Sequence, residues 1–278
     1  MGNNLFQYFS AKFFDYKDET VRVLNCPSFL SPKPNFFKRI VYKIALKLLN
    51  NVTDEHLIND RVNLNFLNIF TGYGELPKIF KNKRSIIKQD FEKNIFFEKR
   101  PQKLASANYN VVLHLRLGDR FLRKSDYEPG MQYNIKNLHC ILNEMKIRHR
   151  NLRLFIVTDF KRLQENLTFD DFQKLDFHVK VPEPERIEYV KANSYLNSLQ
   201  KFIHSENGEI ISQTTLSEDF SYMYFSDTLI FCHGTLAWWA GFLGNQDKVF
   251  VAEQWRPAKG VENRNLSKVM SDERWHLW

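Results

Sequence analysis

The chain has 278 residues, of which 43% are apolar, and a formal net charge of +8. This length accommodates one large domain or two modest ones with sizeable hydrophobic cores. The Lys and Arg residues are dispersed, without a basic tail or zinc-finger spacing, so the charge favours a small polyanionic ligand or an anionic surface over nucleic acid. Three widely separated cysteines, Cys26, Cys140 and Cys232, indicate neither a disulfide framework nor a zinc site.

No apolar run approaches the ~20 residues that a membrane-spanning helix needs, so we predict no transmembrane segment. Together with the cysteine pattern, this favours a reducing, cytoplasmic location of bacterial or viral type, unless a membrane anchor has been removed from the chain. Residues 36–49 have a clear amphipathic pattern. We predict a core-facing helix with snorkelling lysines, and peripheral contact of this helix with a membrane surface is the alternative.

The first third of the chain is predicted to be a separate α/β domain. Residues 1–16 begin at a Gly-Asn pair and continue as a helix, so Asn3 lies at a helix N-terminus, which favours phosphate. Such a junction normally follows a strand, and either the natural start is missing or that strand is dispensable. Further expected elements are strands at 20–24 and within 60–70, and a helix that ends at Phe91 with Ile79, Ile86 and Ile87 as apolar positions. The polar stretch 98–108 is the expected linker, which gives domains 1–105 and 106–278.

The segment 110–121, NVVLHLRLGDRF, changes from a buried strand to a charged loop within a few residues. His114 and Arg116 project to the same side of a strand, and Gly118 allows a sharp turn directly after them. The carboxyl ends of strands in open α/β sheets bind ligands, and the planar fork of arginine matches phosphate oxygens. The pattern therefore predicts a diphosphate site, with an Arg–Asp pair that braces a loop as the alternative.

The next elements repeat the order of strand, loop and helix. A helix is expected at 133–148 and a buried strand at 153–159. Asp159 at the end of that strand is expected either to accept hydrogen bonds from a nucleoside or to cap the helix after it.

A second informative block covers residues 217–243. We predict a helix capped by Ser217, a strand at 228–232, and a further helix that opens at His233, Gly234 and Thr235. A Gly-Thr junction presents N–H groups and a hydroxyl to a phosphate. The alternative is a plain Thr235 cap, with the two tryptophans that follow packed in the core. The strand at 248–255 is expected to close the sheet.

Seven separated segments occur in a characteristic order: GNNLFQY at 2–8, GYGELPKIF at 72–80, HLRLGD at 114–119, IVTD at 156–159, SEDFSYM at 217–223, GTLAWWAGFL at 234–243 and KVFVAEQW at 248–255. Their order and spacing resemble the α-1,2-fucosyltransferase family. That family has a GN-x-x-FQYA opening, a GY segment, an H-x-RRGD motif, an SDD, an SxFSWWxA block and a final strand that ends in Trp. The resemblance extends over nearly the full chain.

The resemblance implies a GT-B-like α/β architecture, in which two Rossmann-like domains face each other across a cleft. It implies an inverting glycosyltransferase that transfers fucose from GDP-fucose to a hydroxyl of a glycan acceptor. The nucleotide sugar is a co-substrate bound by the C-terminal domain, and neither a metal nor another cofactor is required. Arg116 corresponds to the loop arginine that contacts the donor diphosphate in related fucosyltransferases. The expected donor-binding set is Asn3, His114, Arg116, Gly118, Asp159, His233, Gly234 and Thr235.

Three positions depart from the family pattern on the donor side. Leu117 replaces the second arginine, Phe160 replaces an aspartate, and His233 stands where the family has a small polar residue. Another nucleotide sugar, such as UDP-xylose or GDP-rhamnose, is therefore an alternative donor. Two other classes remain as alternatives: a basic nucleic-acid-binding protein, and a catalytically inactive scaffold of the same fold.

Direct displacement at the anomeric carbon needs a base for the acceptor hydroxyl and positive charge for the departing diphosphate. Arg116 is the expected source of the positive charge. Asp126 and Glu128 are equal candidates for the base, because they follow the central loop by a few residues. Asp119 is expected to orient Arg116 or His114.

Overall fold

The computed structural model describes residues 50–52, 68–70, 83–94, 99–104, 107–117, 133–160, 162–174, 189–211, 214–232, 234–252 and 272–278. By their contacts, the residues divide into two compact units, Met1–Phe97 with Pro257–Met270, and Glu98–Arg256 with Ser271–Trp278. Most of the first unit lies outside the described residues. The expected domains 1–105 and 106–278 therefore stay a prediction.

In the first unit, two short strands, β1 (Asn50–Val52) and β2 (Asn68–Phe70), pair in parallel. Helix α1 (Arg84–Asn94) buries Ile87 and Phe91, as its apolar spacing predicts, but Ile86 is 48% exposed. The helices expected at 1–16 and 36–49 and the strand expected at 20–24 lie outside the described residues.

The second unit is built on a six-stranded sheet in which every neighbouring pair of strands is parallel. Its helices are α2 (Ile135–Arg148), α3 (Phe169–Gln173), α4 (Tyr189–Ser205), α5 (Leu216–Tyr224) and α6 (Thr235–Leu243). Its strands are β3 (Tyr109–Leu115), β4 (Leu152–Thr158), β5 (Glu209–Ile211), β6 (Thr228–Phe231), β7 (Lys248–Val251) and β8 (Trp275–Leu277). The α/β class that the sequence predicts is confirmed.

The strands lie in the order β5-β4-β3-β6-β7-β8. Strands β4 and β5 lie on one side of β3. Strands β6, β7 and β8, which come later in the chain, lie on its other side. This order is compatible with a Rossmann-like sheet, and its direction reverses between β3 and β6. In such sheets the carboxyl ends of the two strands at the reversal form a crevice.

Both faces of the sheet are covered, which explains why β3 is apolar along nearly its whole length. Val111, Leu113 and Leu115 pack into a cluster with apolar residues of α2 and α4. The opposite face carries α5 and α6, where Trp238 and Trp239 are fully buried. Core packing of the two tryptophans, expected in the alternative interpretation of this block, is confirmed.

Two sequence-based expectations for this unit are wrong. Helix α5 is capped by Thr215, not Ser217, because Thr215 and Glu218 form a reciprocal capping box. The strand at β7 does not close the sheet, since β8 pairs outside it with Trp275 opposite Val249. Helix α4 and strand β5 were not anticipated.

Within the described residues, no helix is both long and apolar enough to cross a membrane.

Candidate functional site

Side chains that follow β3 and β4 meet at the carboxyl end of the sheet, and β3 is one of the two strands at which the direction of the strand order reverses. Arg116 follows β3 and Asp159 follows β4, and the Arg116 Nη1 atom forms an ion pair with Asp159 Oδ2. The other carboxylate oxygen of Asp159 accepts the backbone N–H of Leu117 at 2.8 Å. Asp159 therefore ties the end of β3 to the end of β4. The pair is only part-buried, with side-chain exposures of 38% for Arg116 and 27% for Asp159, so ligands in solution can reach it.

The position of Asp159 corrects one interpretation of the sequence. Asp159 does not cap a helix, because the next described helix, α3, begins at Phe169 and is capped by Thr168. Among the described residues, it is Asp159 that orients Arg116, the role expected of Asp119. A contact of Asp159 with a nucleoside stays a prediction, and both of its oxygens already accept hydrogen bonds from the β3 loop.

His114 does not leave the sheet edge beside Arg116 but is 5% exposed on the face that carries α6. A Cβ atom added to Gly234 would lie 3.3 Å from His114 Cε1, so the imidazole packs against the backbone that leads into α6. Within the described part of the chain, its buried Nδ1 atom has no hydrogen-bond partner. The pKa of His114 is lowered to about 4, chiefly by burial. The negative charge of Asp159 raises this pKa, and the positive charge of Arg116 lowers it. The imidazole is therefore neutral at pH 7.

This burial predicts an acid-dependent loss of stability. The pKa of His114 is about 4 in the folded chain, whereas an ordinary histidine, as in the unfolded chain, has a pKa of 6.5. Protonation of His114 therefore favours unfolding. The contribution of the neutral imidazole to the free energy of unfolding is fully present above pH 6.5 and is lost as the pH falls towards 4. At about 1.4 kcal/mol per pH unit, the loss is roughly 3 kcal/mol.

The measurement is the free energy of unfolding in urea as a function of pH, for the wild type and for His114→Gln. We expect the variant to lose most of the slope between pH 6.5 and 4. His204→Gln, at the exposed end of α4, is the matched control and should keep the wild-type slope. Equal slopes for His114→Gln and wild type would show that another group is responsible.

The N-terminus of α6 lies next to His114 and differs from the starts of α2, α3 and α5. Gly234 is its N-cap residue, with φ of 121° and no side-chain cap hydrogen bond, while α2, α3 and α5 are each capped by a side chain. The alternative in which Thr235 caps the helix is wrong, because Thr235 is the first helical residue. A positive φ favours glycine, and a β-carbon here would also crowd the imidazole. The uncapped N–H groups and the helix dipole favour an anion at this position.

Two of the three departures from the fucosyltransferase pattern are core positions in this chain. Leu117 is 4% exposed and Phe160 is 2% exposed, and both belong to the cluster that packs under α2 and α4. The third departure, His233, lies outside the described residues. Asn3, Gly118, Asp119, Asp126 and Glu128 also lie outside them, and their roles stay predictions.

Tyr133 is a residue of this site that the sequence did not reveal. It was expected as the first residue of α2, but that helix begins at Ile135 and is capped by Asn134. Its hydroxyl contacts the backbone of His114 and Arg116. These partners are 17 and 19 residues away along the chain, and no local pattern links them.

Comparisons with protein-family models, with curated proteins and with solved structures found no match to this chain.

Within the described residues, no group of three or more His, Cys, Asp or Glu side chains is arranged to hold a metal ion. Metal-independent chemistry stays a prediction.

Proposed function

We propose that this chain is an inverting glycosyltransferase of the GT-B-like kind, related to the α-1,2-fucosyltransferases, with GDP-fucose as the first candidate donor. The observation that carries the proposal is the arrangement at the reversal of strand order. A guanidinium held by Asp159 and an uncapped helix N-terminus at Gly234 lie at the carboxyl ends of neighbouring strands. Both groups suit the charge of a nucleoside diphosphate.

In the proposed reaction, an acceptor hydroxyl attacks the anomeric carbon of the donor sugar while the bond from that carbon to the diphosphate oxygen breaks. The acceptor proton passes to a carboxylate, Asp126 or Glu128. The negative charge that develops on the departing diphosphate is met by Arg116 and the first N–H groups of α6. His114 is neutral and buried, and its imidazole packs against Gly234.

A thermal-shift screen with GDP, UDP, GDP-fucose, GDP-rhamnose, UDP-xylose and a mixed-sequence oligonucleotide tests the proposal. A ligand that binds only the folded chain stabilises it by about 2.7 kcal/mol at a concentration of 100 times its Kd. We expect GDP and a GDP-sugar to raise the melting temperature. A shift with UDP and its sugar alone would support the alternative donor. A salt-sensitive shift with the oligonucleotide alone would contradict the proposal and favour nucleic-acid binding.

Replacing the base with its amide separates catalysis from donor binding. We expect that Asp126→Asn or Glu128→Gln, whichever removes the base, abolishes transfer and leaves the donor affinity nearly unchanged, because the base acts on the acceptor in the transition state. The measurements are donor affinity by calorimetry and single-turnover transfer. Near-wild-type transfer by both variants would place the base elsewhere. A wild-type chain that binds donor but transfers no sugar to any glycan acceptor would indicate an inactive scaffold.

A further inference from the structure

The hydroxyl of Tyr133 joins two backbone groups at the end of β3. It donates a hydrogen bond to the carbonyl oxygen of His114 at 2.7 Å and accepts one from the backbone N–H of Arg116 at 3.0 Å. A tyrosine hydroxyl has one proton to donate and lone pairs that accept, so it can serve both groups at once. The two residues that it holds carry the imidazole and the guanidinium of the proposed diphosphate site.

The Tyr133 hydroxyl contacts β3 at the end of its pairing with β6. Strand β6 ends at Phe231, which pairs with His114, the last pair of these two strands. Buried backbone groups at the end of a strand need hydrogen-bond partners, and the Tyr133 hydroxyl is a partner of both His114 and Arg116 there.

Tyr133 is well fixed for this role. The residue is 3% exposed, and its backbone N–H donates to the hydroxyl of Tyr195, on α4, at 3.1 Å. Burial raises the pKa of Tyr133 well above its ordinary value, so the hydroxyl keeps the proton that it donates to His114.

We propose that Tyr133 is a positioning residue for the donor diphosphate, which sets the backbone from which Arg116 and His114 project. The proposal rests on the proposed function. Asp159 fixes the guanidinium from the side of β4, and Tyr133 fixes its backbone. With both ends of the Arg116 side chain held, the guanidinium is oriented before the donor binds, which is the arrangement that charge stabilisation requires.

The test is Tyr133→Phe, which keeps the ring and removes the oxygen atom that joins the two backbone groups. Tyr109→Phe is the matched control, because Tyr109 begins the same strand at its opposite end and its hydroxyl bonds to Thr228 at 2.9 Å. The measurements are affinity for GDP and for UDP by calorimetry, together with the urea midpoint. We expect Tyr133→Phe to weaken nucleotide binding by about 10–100-fold, the loss that is typical when a hydrogen bond that supports a metal ligand is removed. Tyr109→Phe should change only the midpoint.

A second comparison separates positioning from general loosening of the fold. Adding Tyr133→Phe to Arg116→Ala should cause little further loss of nucleotide affinity, because the side chain that Tyr133 positions is already gone. Tyr195→Phe removes the acceptor of the Tyr133 N–H and should cause a smaller loss of the same sign in the wild-type chain.

Wild-type affinity in both Tyr133→Phe and Tyr195→Phe would overturn the inference and leave the proposed function intact. An equal loss with and without Arg116 would also overturn it. A wild-type chain that binds neither GDP nor UDP would overturn the proposed function, and this inference with it.

Discussion

Arg116→Ala is expected to slow the proposed sugar transfer by about 10²–10³-fold, the usual result of removing one preorganised donor to a developing anion. The guanidinium sits at the carboxyl end of β3 and is held there by Asp159. Its removal takes away positive charge that the departing diphosphate needs. It also leaves the Asp159 carboxylate near that diphosphate with less compensation, which adds repulsion. We therefore expect donor affinity to fall together with the transfer rate.

Single-turnover transfer and donor affinity by calorimetry are the measurements for this variant. Arg116→Lys should restore part of the rate, because a lysine keeps the charge but not the planar fork. The matched control is Arg153→Ala, an arginine in β4 that pairs with Glu209 at 3.0 Å. Arg153 is five residues before Thr158, the last residue of β4, and its loss should leave transfer unchanged. Full activity in Arg116→Ala would remove the diphosphate role from this residue.

Leu117→Arg introduces the second arginine of the fucosyltransferase pattern that the sequence resembles, and it is expected to destabilise this chain by about 3–5 kcal/mol. Leu117 is 4% exposed within the cluster under α2 and α4. A guanidinium placed there would put a charge inside this apolar cluster, and an uncompensated charge in a protein interior costs about this much. The departure from the family pattern therefore belongs to the packing of this chain.

Urea unfolding of Leu117→Arg and Leu117→Met measures the effect. The methionine conserves volume and apolar character, so its cost should stay below about 1.5 kcal/mol. A stable Leu117→Arg chain with faster transfer would instead mean that the position faces the donor, and that the missing arginine is a lost catalytic group.

The sequence by itself determined several local elements of the second unit. The apolar runs at 111–115 and 154–157 are buried strands because both faces of a parallel sheet are covered, and such strands are recognisable without knowledge of their neighbours. The regular spacing of Leu138, Ile141, Leu142 and Met145 predicted α2, because apolar residues at that spacing lie on one face of a helix. Arg116 and Gly234 were recognisable as site candidates, since Arg116 directly follows β3 and Gly234 lies three residues after the end of β6, at the start of a helix.

Only the tertiary structure decided which of these elements are neighbours. Strands β5 and β8 have three residues each, too short to show a period, and they take their place from pairing with β4 and β7. A described partner of Arg116 is Asp159, 43 positions away, and no local pattern in the sequence links the two residues. The reason is physical: hydrogen bonds and ion pairs across a parallel sheet depend on strand order and register, and the intervening helices remove any fixed spacing between partners. The contact of Tyr133 with the end of β3 depends in the same way on where β6 stops.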